Sequence, residues 1–359
     1  MSDRSVYVIA EAGVNHNGSL ALARQLVSAA AAAGADAVKF QTFDAKKLAR
    51  ASAPKADYQR QTTDQAESQL DMLSKLELPR EWHAELKAHA KAEGIEFLST
   101  AFDIDSLDFL AGLDMPFFKV PSGELTNGPL LWRFARLRKP LVVSTGMATL
   151  SEVEQALAVI AHAFNAESEP ADLDEVWEGW TRPEWRRSLQ GRVTVLHCTS
   201  QYPTPMGEVN LLAMDTLAQA FGLPVGYSDH TEGILIPVAA VARGAVLVEK
   251  HFTLDRSMPG PDHRASLEPG ELTQMVRDIR ALAVALGEGA KSPQPSEWKT
   301  RKAARQQVVL ARAVERGQVL TRADLATARS GAGLPAATLW QLVGQPANRD
   351  YAQGDLYQP

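Results

Sequence analysis

The chain has 359 residues, 45% of them apolar, which is enough for a large buried core. A formal net charge of −6 excludes a general nucleic-acid or anionic-membrane surface, so any anion must meet a local basic pocket. The single cysteine, Cys198, excludes an internal disulfide framework and suits a reducing, cytoplasmic setting; no stretch reads as a signal peptide or a membrane span.

The elements follow a repeating order. VYVIAEAG reads as a strand, and Gly18 and Ser19 open an alanine-rich helix that stops at Gly34. In the NHNG stretch between them, Asn15 and Asn17 read as turn and cap residues and His16 as support. AVKFQTF, a helix around 80–93, EFLSTAFD and a helix near 105–113 come next. FFKVPSGE, a helical stretch over 127–137 and PLVVSTGM follow, with Ser151 opening a helix to about 164. VTVLHCTSQYP, a helix around 208–221, PVGYSDHT, a helix around 232–243, LVEKHFT and a helix near 269–286 complete the series. Eight short apolar strands alternating with helices predict a (β/α)8 TIM barrel over residues 1–290.

Two regions stand outside that pattern. Residues 165–190 hold Trp177, Trp180 and Trp185 among many charges and read as an insertion packed on the barrel's stability face. KSPQPSEWK opens a Pro/Ser linker over 291–303, and residues 304–359 form a small second domain of short strands and helices with Thr321 as an N-cap.

The strand ends carry the chemistry. In a barrel of this kind the active site lies at the C-terminal ends of the strands. Those ends hold Glu11, Lys39, Thr100, Lys119 with Ser122 and Glu124, Ser144, His197, His230, and Glu249 with His251. Any one of them could be a cap or a solvated strand end; the ring of eight is the signal. His230 and His251 close adjacent strands and suit a divalent metal, with Asp229 and Glu249 placed to orient them. A structural histidine pair is the alternative, and His197 reads as structural. Since a ligand histidine must be neutral, activity is expected to fall below the unperturbed value of about 6.5. Lys39 and Lys119, with Thr100, Ser122 and Ser144, form a phosphate or carboxylate cradle, with a Schiff-base lysine as the competing reading. Glu11 and Glu124 add carboxylates that could grip hydroxyls or manage a proton.

IAEAGVNHNG, AVKFQTF, FLSTAFD, FFKVPSGE, STGMATL, LHCTSQYPTP, GYSDHTEG and EKHFTLDRSMPGPDH together resemble the sialic-acid synthase family, which includes the N-acetylneuraminate, legionaminate and pseudaminate synthases. The tail is similar to that family's antifreeze-like (SAF) domain. The resemblance implies a transferase that condenses phosphoenolpyruvate with an open-chain 2-acetamido sugar to a nine-carbon 2-keto acid and phosphate. It implies a divalent metal, Mn²⁺ before Mg²⁺ or Co²⁺, on His230 and His251, and a homodimer with swapped C-terminal domains. By motif, Lys39, Thr100, Lys119, Ser122 and Ser144 would hold phosphoenolpyruvate. Glu11, Tyr202 and Asp262 would hold the sugar, Glu124 would sit at the reacting carbons, and Arg329 would reach the partner's site from a Gly-rich loop.

Three departures bear on the sugar. Ser330 replaces the family's proline after Arg329 and is expected to loosen the backbone. Thr62 and Ser200 stand where asparagine occurs in members of the family. The ESQLDMLSKLEL run points to the neuraminate/legionaminate branch rather than to pseudaminate. Two further alternatives are a synthase for a 6-phosphorylated sugar and a non-catalytic carbohydrate-binding protein.

Overall fold

A computed structural model describes residues 6–50, 52–56, 59–60, 63–64 and 67–358. They divide into two compact units, residues 1–287 and 288–359.

In the first unit eight parallel strands make one sheet: β1 (Tyr7–Gly13), β2 (Ala37–Thr42), β3 (Glu96–Ala101), β4 (Phe118–Val120), β5 (Leu141–Ser144), β6 (Val193–His197), β7 (Val225–Asp229) and β8 (Leu247–His251). Their order, β3-β2-β1-β8-β7-β6-β5-β4, joins β1 to β8 and leaves only the β3–β4 seam without a hydrogen-bonded ladder among the described residues. This is the near-closed barrel expected from the alternation of strands and helices. Both faces of each strand are covered, one by the barrel interior and one by the helices, so the strands read as nearly unbroken apolar runs.

Local chemistry sets the helix boundaries. Ser19 caps Leu20–Ala32 by accepting the Leu22 N–H at 3.3 Å, and the chain turns away at Gly34, where φ is +80°. The helix after β5 starts at Leu150, not Ser151: Thr149 and Glu152 form a reciprocal capping box, a T-x-x-E signal that begins just ahead of Ser151. The helix after β6 starts at Ala213, later than the 208 expected, because Asn210 takes φ +48° and breaks the helix behind a short turn at Met206–Glu208. The 165–190 insertion folds into two short helices, Leu173–Trp180 and Pro183–Arg187, and packs its three tryptophans on the barrel core. Gly179 is required there, since a Cβ would lie 2.2 Å from the Trp185 ring.

The second unit begins before the expected linker ends. A turn at Pro295–Glu297, stabilised by a Gln294/Glu297 capping box, runs into a helix at Trp298–Ala304, so the expected linker is irregular over 291–294 and helical from Pro295 on. Beyond it β9 (Gln306–Leu310) pairs antiparallel with β10 (Leu325–Arg329) over a core of Val308, Leu310, Val314, Leu320, Leu325 and Tyr351. Asp324 ties this unit together: its carboxylate is fully covered and accepts from Arg312 Nε at 2.5 Å, Thr321 N at 2.7 Å and Thr321 Oγ1 at 2.6 Å. Arg312 first, then Thr321, holds that carboxyl down at about 2. A carboxyl lower in the native than in the unfolded chain contributes stability that is full above its unfolded value of about 3.9 and is lost as pH falls toward about 2. Asp324→Asn is therefore expected to lower the melting temperature of this unit at pH 7 and to flatten its decline between pH 4 and about 2. An unchanged acid limb in a pH-melting series would refute this assignment.

Candidate active site

A cavity of about 460 Å³ opens at the C-terminal ends of the strands and gathers most of the expected residues. Glu11, Lys39, Thr100, Lys119, Ser122, Glu124, Ser144, Tyr202, His230, His251 and Asp262 all line it. His197 turns away from this cavity, and its Nε2 donates to the Val209 carbonyl at 2.9 Å, the structural role expected of it.

The floor is an alternating chain of charges. β1 bulges between Glu11 and Gly13, with Gly13 at φ +51°, where L side chains are disfavoured. Glu11 Oε2 lies 2.6 Å from Lys39 Nζ, which also donates to Thr100 Oγ1 at 3.0 Å. Lys39 Nζ stands 3.6 Å from Glu249 Oε2, and Lys119 Nζ binds Glu249 Oε1 at 3.0 Å. Ser228 Oγ donates to that same Glu249 oxygen at 2.9 Å, and Gln41 Nε2 to Glu11 Oε1 at 3.2 Å. All four charged side chains are buried. The two lysines are thus not free cations awaiting an anion, as their sequence positions suggest; each already holds a glutamate. Glu249 stands in the ring expected from the sequence, but with other partners than expected. It was expected to orient a histidine and instead links both lysines, because the β8 pleat points it and His251 inward together.

Burial sets the proton affinities, with the lysines opposing it. Desolvation lifts the Glu11 carboxyl to about 7 against the pull of Lys39. Desolvation also raises Glu249, but Lys119 and Lys39 outweigh it and hold that carboxyl well below the usual range. Burial pulls Lys39 down, yet Glu11 and Glu249 reverse this and raise it, so it stays charged. When Glu11 is protonated, two ammonium groups face one firmly ionised carboxylate, and the floor is net positive.

The wall is aromatic. The His230 and His251 rings are 5.4 Å apart between centroids, and Tyr202 packs 4.1 Å from His230 and 5.5 Å from His251. His230 Nδ1 meets the Thr199 carbonyl at 2.7 Å and so carries the proton, leaving a lone pair on Nε2. Burial lowers the His230 imidazole to about 4 and depresses that of His251 strongly. Both are neutral at pH 7, so an acid limb governed by these histidines is expected well below 6.5. His251 Nδ1 has no hydrogen-bond partner, with Asp262 Oδ2 at 3.7 Å, and burial lifts the Asp262 carboxyl to about 7. Two buried, neutral imidazoles, one with an unpartnered nitrogen, suit a divalent ion whose other positions are filled by small molecules. Among the described residues no group of three or more His, Cys, Asp and Glu is arranged around one point, and His230 and His251 are the two that would hold it.

The rim holds the remaining polar groups. Ser122–Glu124 is a short turn beyond β4, and Glu124 Oε2 accepts from Asn127 Nδ2 at 2.7 Å. Ser122 Oγ accepts the Gly146 N–H at 3.0 Å and touches Cys198 Sγ at 3.2 Å. Ser144 Oγ is buried and unpartnered. Asn15 lies in the turn expected of it, its N–H meeting the Ala12 carbonyl at 2.9 Å, and its side chain crosses to the β8 side, donating to the Phe252 carbonyl at 2.8 Å and Ser266 Oγ at 3.0 Å. Thr62 lies outside the described residues. In the second unit Arg329 ends strand β10 rather than lying in a loop, and it is exposed. Ser330 does not loosen the chain: its N–H, which a proline would lack, and its hydroxyl reach Gln307 Oε1 at 3.0 and 2.8 Å.

Residues 26–291 match the NeuB family model, and residues 305–356 match the SAF domain. The chain is 44% identical to an N,N'-diacetyllegionaminic acid synthase of Campylobacter jejuni, over 98% of this chain and 99% of that one. It is 43% identical to the protein of that name from Legionella pneumophila, over 98% and 93%. Among solved structures, an N-acetylneuraminic acid synthetase from Leptospira borgpetersenii crystallised with citrate superposes with a TM-score of 0.67 at 31% identity, covering 83% of this chain and 90% of that one.

Proposed function

Because this chain belongs to the NeuB family and carries a SAF domain after its barrel, we propose that it condenses phosphoenolpyruvate with an open-chain 2,4-diacetamido sugar, giving a legionaminate-type nine-carbon 2-keto acid and phosphate. The observation that carries the reaction class is the pair of buried lysines bridged by Glu249 beneath two neutral histidines. Identity to the two legionaminic acid synthases favours the legionaminate substrate over the neuraminate one.

Lys39 and Lys119 supply the charge for the phosphate and carboxylate of phosphoenolpyruvate, with Thr100, Ser122 and the unpartnered Ser144 hydroxyl fixing their orientation. Held by His230 and His251, a divalent cation, Mn²⁺ first, would polarise the sugar aldehyde for attack by carbon 3 of phosphoenolpyruvate. Water then adds at carbon 2, its proton passing to Glu124 at the rim, and phosphate leaves by C–O cleavage. The lysines stabilise the departing phosphate in a water-poor floor, where charge interactions are strong. Glu11, Tyr202 and Asp262 meet the sugar; Glu11 and Asp262, with carboxyls near 7, can each donate to an oxygen or accept from a hydroxyl.

The test is phosphate release with N-acetylmannosamine, 2,4-diacetamido-2,4,6-trideoxymannose, its altrose isomer and a 6-phosphorylated sugar. Turnover should be highest with the trideoxymannose, should vanish with EDTA and should return with Mn²⁺. A preference for the altrose would move the chain to the pseudaminate reaction, and full activity after metal stripping would remove the cation from the scheme.

We place the enzyme in the cytoplasm, in keeping with its one cysteine and with the lack of any helix among the described residues long and apolar enough to cross a membrane. We further propose a homodimer with exchanged SAF domains, in which Arg329 of one copy serves the site of the other. Its exposure at a strand end supports this. Mixing inactive His230→Ala and Arg329→Ala proteins should then restore activity toward about a quarter of wild type under random pairing. No recovery despite demonstrated subunit exchange would exclude the shared site.

A further inference from the structure

Asp229 and Lys250 are among the most deeply buried charges in the chain, and the proposed chemistry does not use them. Both side chains are 0% exposed, and Lys250 Nζ lies 2.5 Å from Asp229 Oδ2. They face each other because β7 and β8 pair Ser228 with Glu249 and Asp229 with Lys250. The pleat sends Ser228, Glu249 and His251 into the barrel and turns Asp229 and Lys250 outward, beneath the helices.

The bonds of this pair converge on one short segment. Lys250 Nζ also donates to the Thr231 carbonyl. Asp229 Oδ1 accepts the Thr231 N–H at 3.2 Å, and Oδ2 accepts the Thr231 hydroxyl at 3.0 Å. The residues on both sides of His230 are thus bound to one ammonium, which itself sits between Glu249 and His251 in sequence. Stability alone is a poor reason for such a pair, since replacing a buried ion pair with apolar side chains is often neutral or stabilising.

We propose that the Asp229–Lys250 pair is the positioning device that sets the His230 and His251 imidazoles from outside the barrel wall. Asp229 and Lys250 are positioning residues; they touch no substrate. The proposal rests on the reading of the two histidines as metal ligands, and its test separates the two ideas.

The experiment uses the full-length protein. The paired variant Asp229→Leu with Lys250→Met removes both charges and is expected to melt near or above the wild-type temperature. Its Mn²⁺ affinity, read from the electron-paramagnetic signal of free Mn²⁺, should be weaker by about 10- to 100-fold, the usual loss when the support of a metal ligand is removed. The nuclear Overhauser contact between the Tyr202 and His230 rings, 4.1 Å apart, should weaken in the same protein without metal. Wild-type Mn²⁺ affinity together with an unchanged ring contact overturns the proposal. Should the paired variant not fold, Lys250→Gln, which keeps a neutral donor, is expected to show a smaller loss in both readouts, and wild-type values there overturn the proposal equally. If the wild-type protein binds no Mn²⁺, the metal reading fails, and the ring contact alone decides whether the pair positions His230.

Discussion

Alanine at His251 is expected to lower kcat/KM for the condensation by roughly 10²- to 10⁴-fold while the barrel stays folded. The imidazole is buried, neutral and unpartnered at Nδ1, so its removal strands no hydrogen-bond partner there. The structural loss is confined to packing against Tyr202 and His230. The catalytic loss is larger: Lewis-acid stabilisation of developing charge is worth several kcal/mol, and each 1.36 kcal/mol is about a decade in rate. Steady-state kinetics beside a melting curve checks this. A His251→Ala enzyme within threefold of wild type at saturating Mn²⁺ would mean that the histidine pair is structural, the alternative left open by the sequence.

Glu249→Gln is expected to act on stability and on substrate together. It removes the carboxylate that Lys119 binds and that Lys39 approaches, leaving two buried ammonium groups with Glu11 as the remaining anion. Removing one partner of a buried pair costs about 3–5 kcal/mol. An anion that binds only the folded state returns part of that loss by mass action. Phosphoenolpyruvate should therefore raise the melting temperature of Glu249→Gln more than that of wild type. Equal shifts in the two proteins would show that the lysines do not meet the substrate's charges.

The barrel was legible because eight apolar runs alternate with helices, and the site because each run ends in polar residues, a ring that chance alone seldom produces. Partner choice was not legible. In a parallel strand covered on both faces the apolar pattern alone does not say which side points inward, and placing Glu249 with His251 in the ring did not say which groups it would meet. Only the β7–β8 register decides that Glu249 joins the lysine floor and Lys250 joins Asp229. The missed helix starts have a different cause. At Leu150 the cap was present in the sequence as Thr149 and Glu152, whereas at Ala213 the break depends on Asn210 adopting a left-handed backbone. Unperturbed histidine chemistry does not include burial, which takes His230 to about 4 and moves the expected acid limb below 6.5.

The open seam of the barrel bears on its motions. β4 has three residues and, among the described residues, pairs only with β5, yet it carries Lys119 and leads directly into Ser122 and Glu124. Segments held by few backbone bonds open at lower free energy than the rest of a fold. Amide protons of Phe118–Val120 should accordingly trade with deuterated solvent sooner than those of β1 or β8, each held by neighbours on both sides. A phosphate-bearing molecule bridging Lys119 to Lys39 would span that seam and slow the trade, so isotope uptake at three amides would report occupancy of the floor.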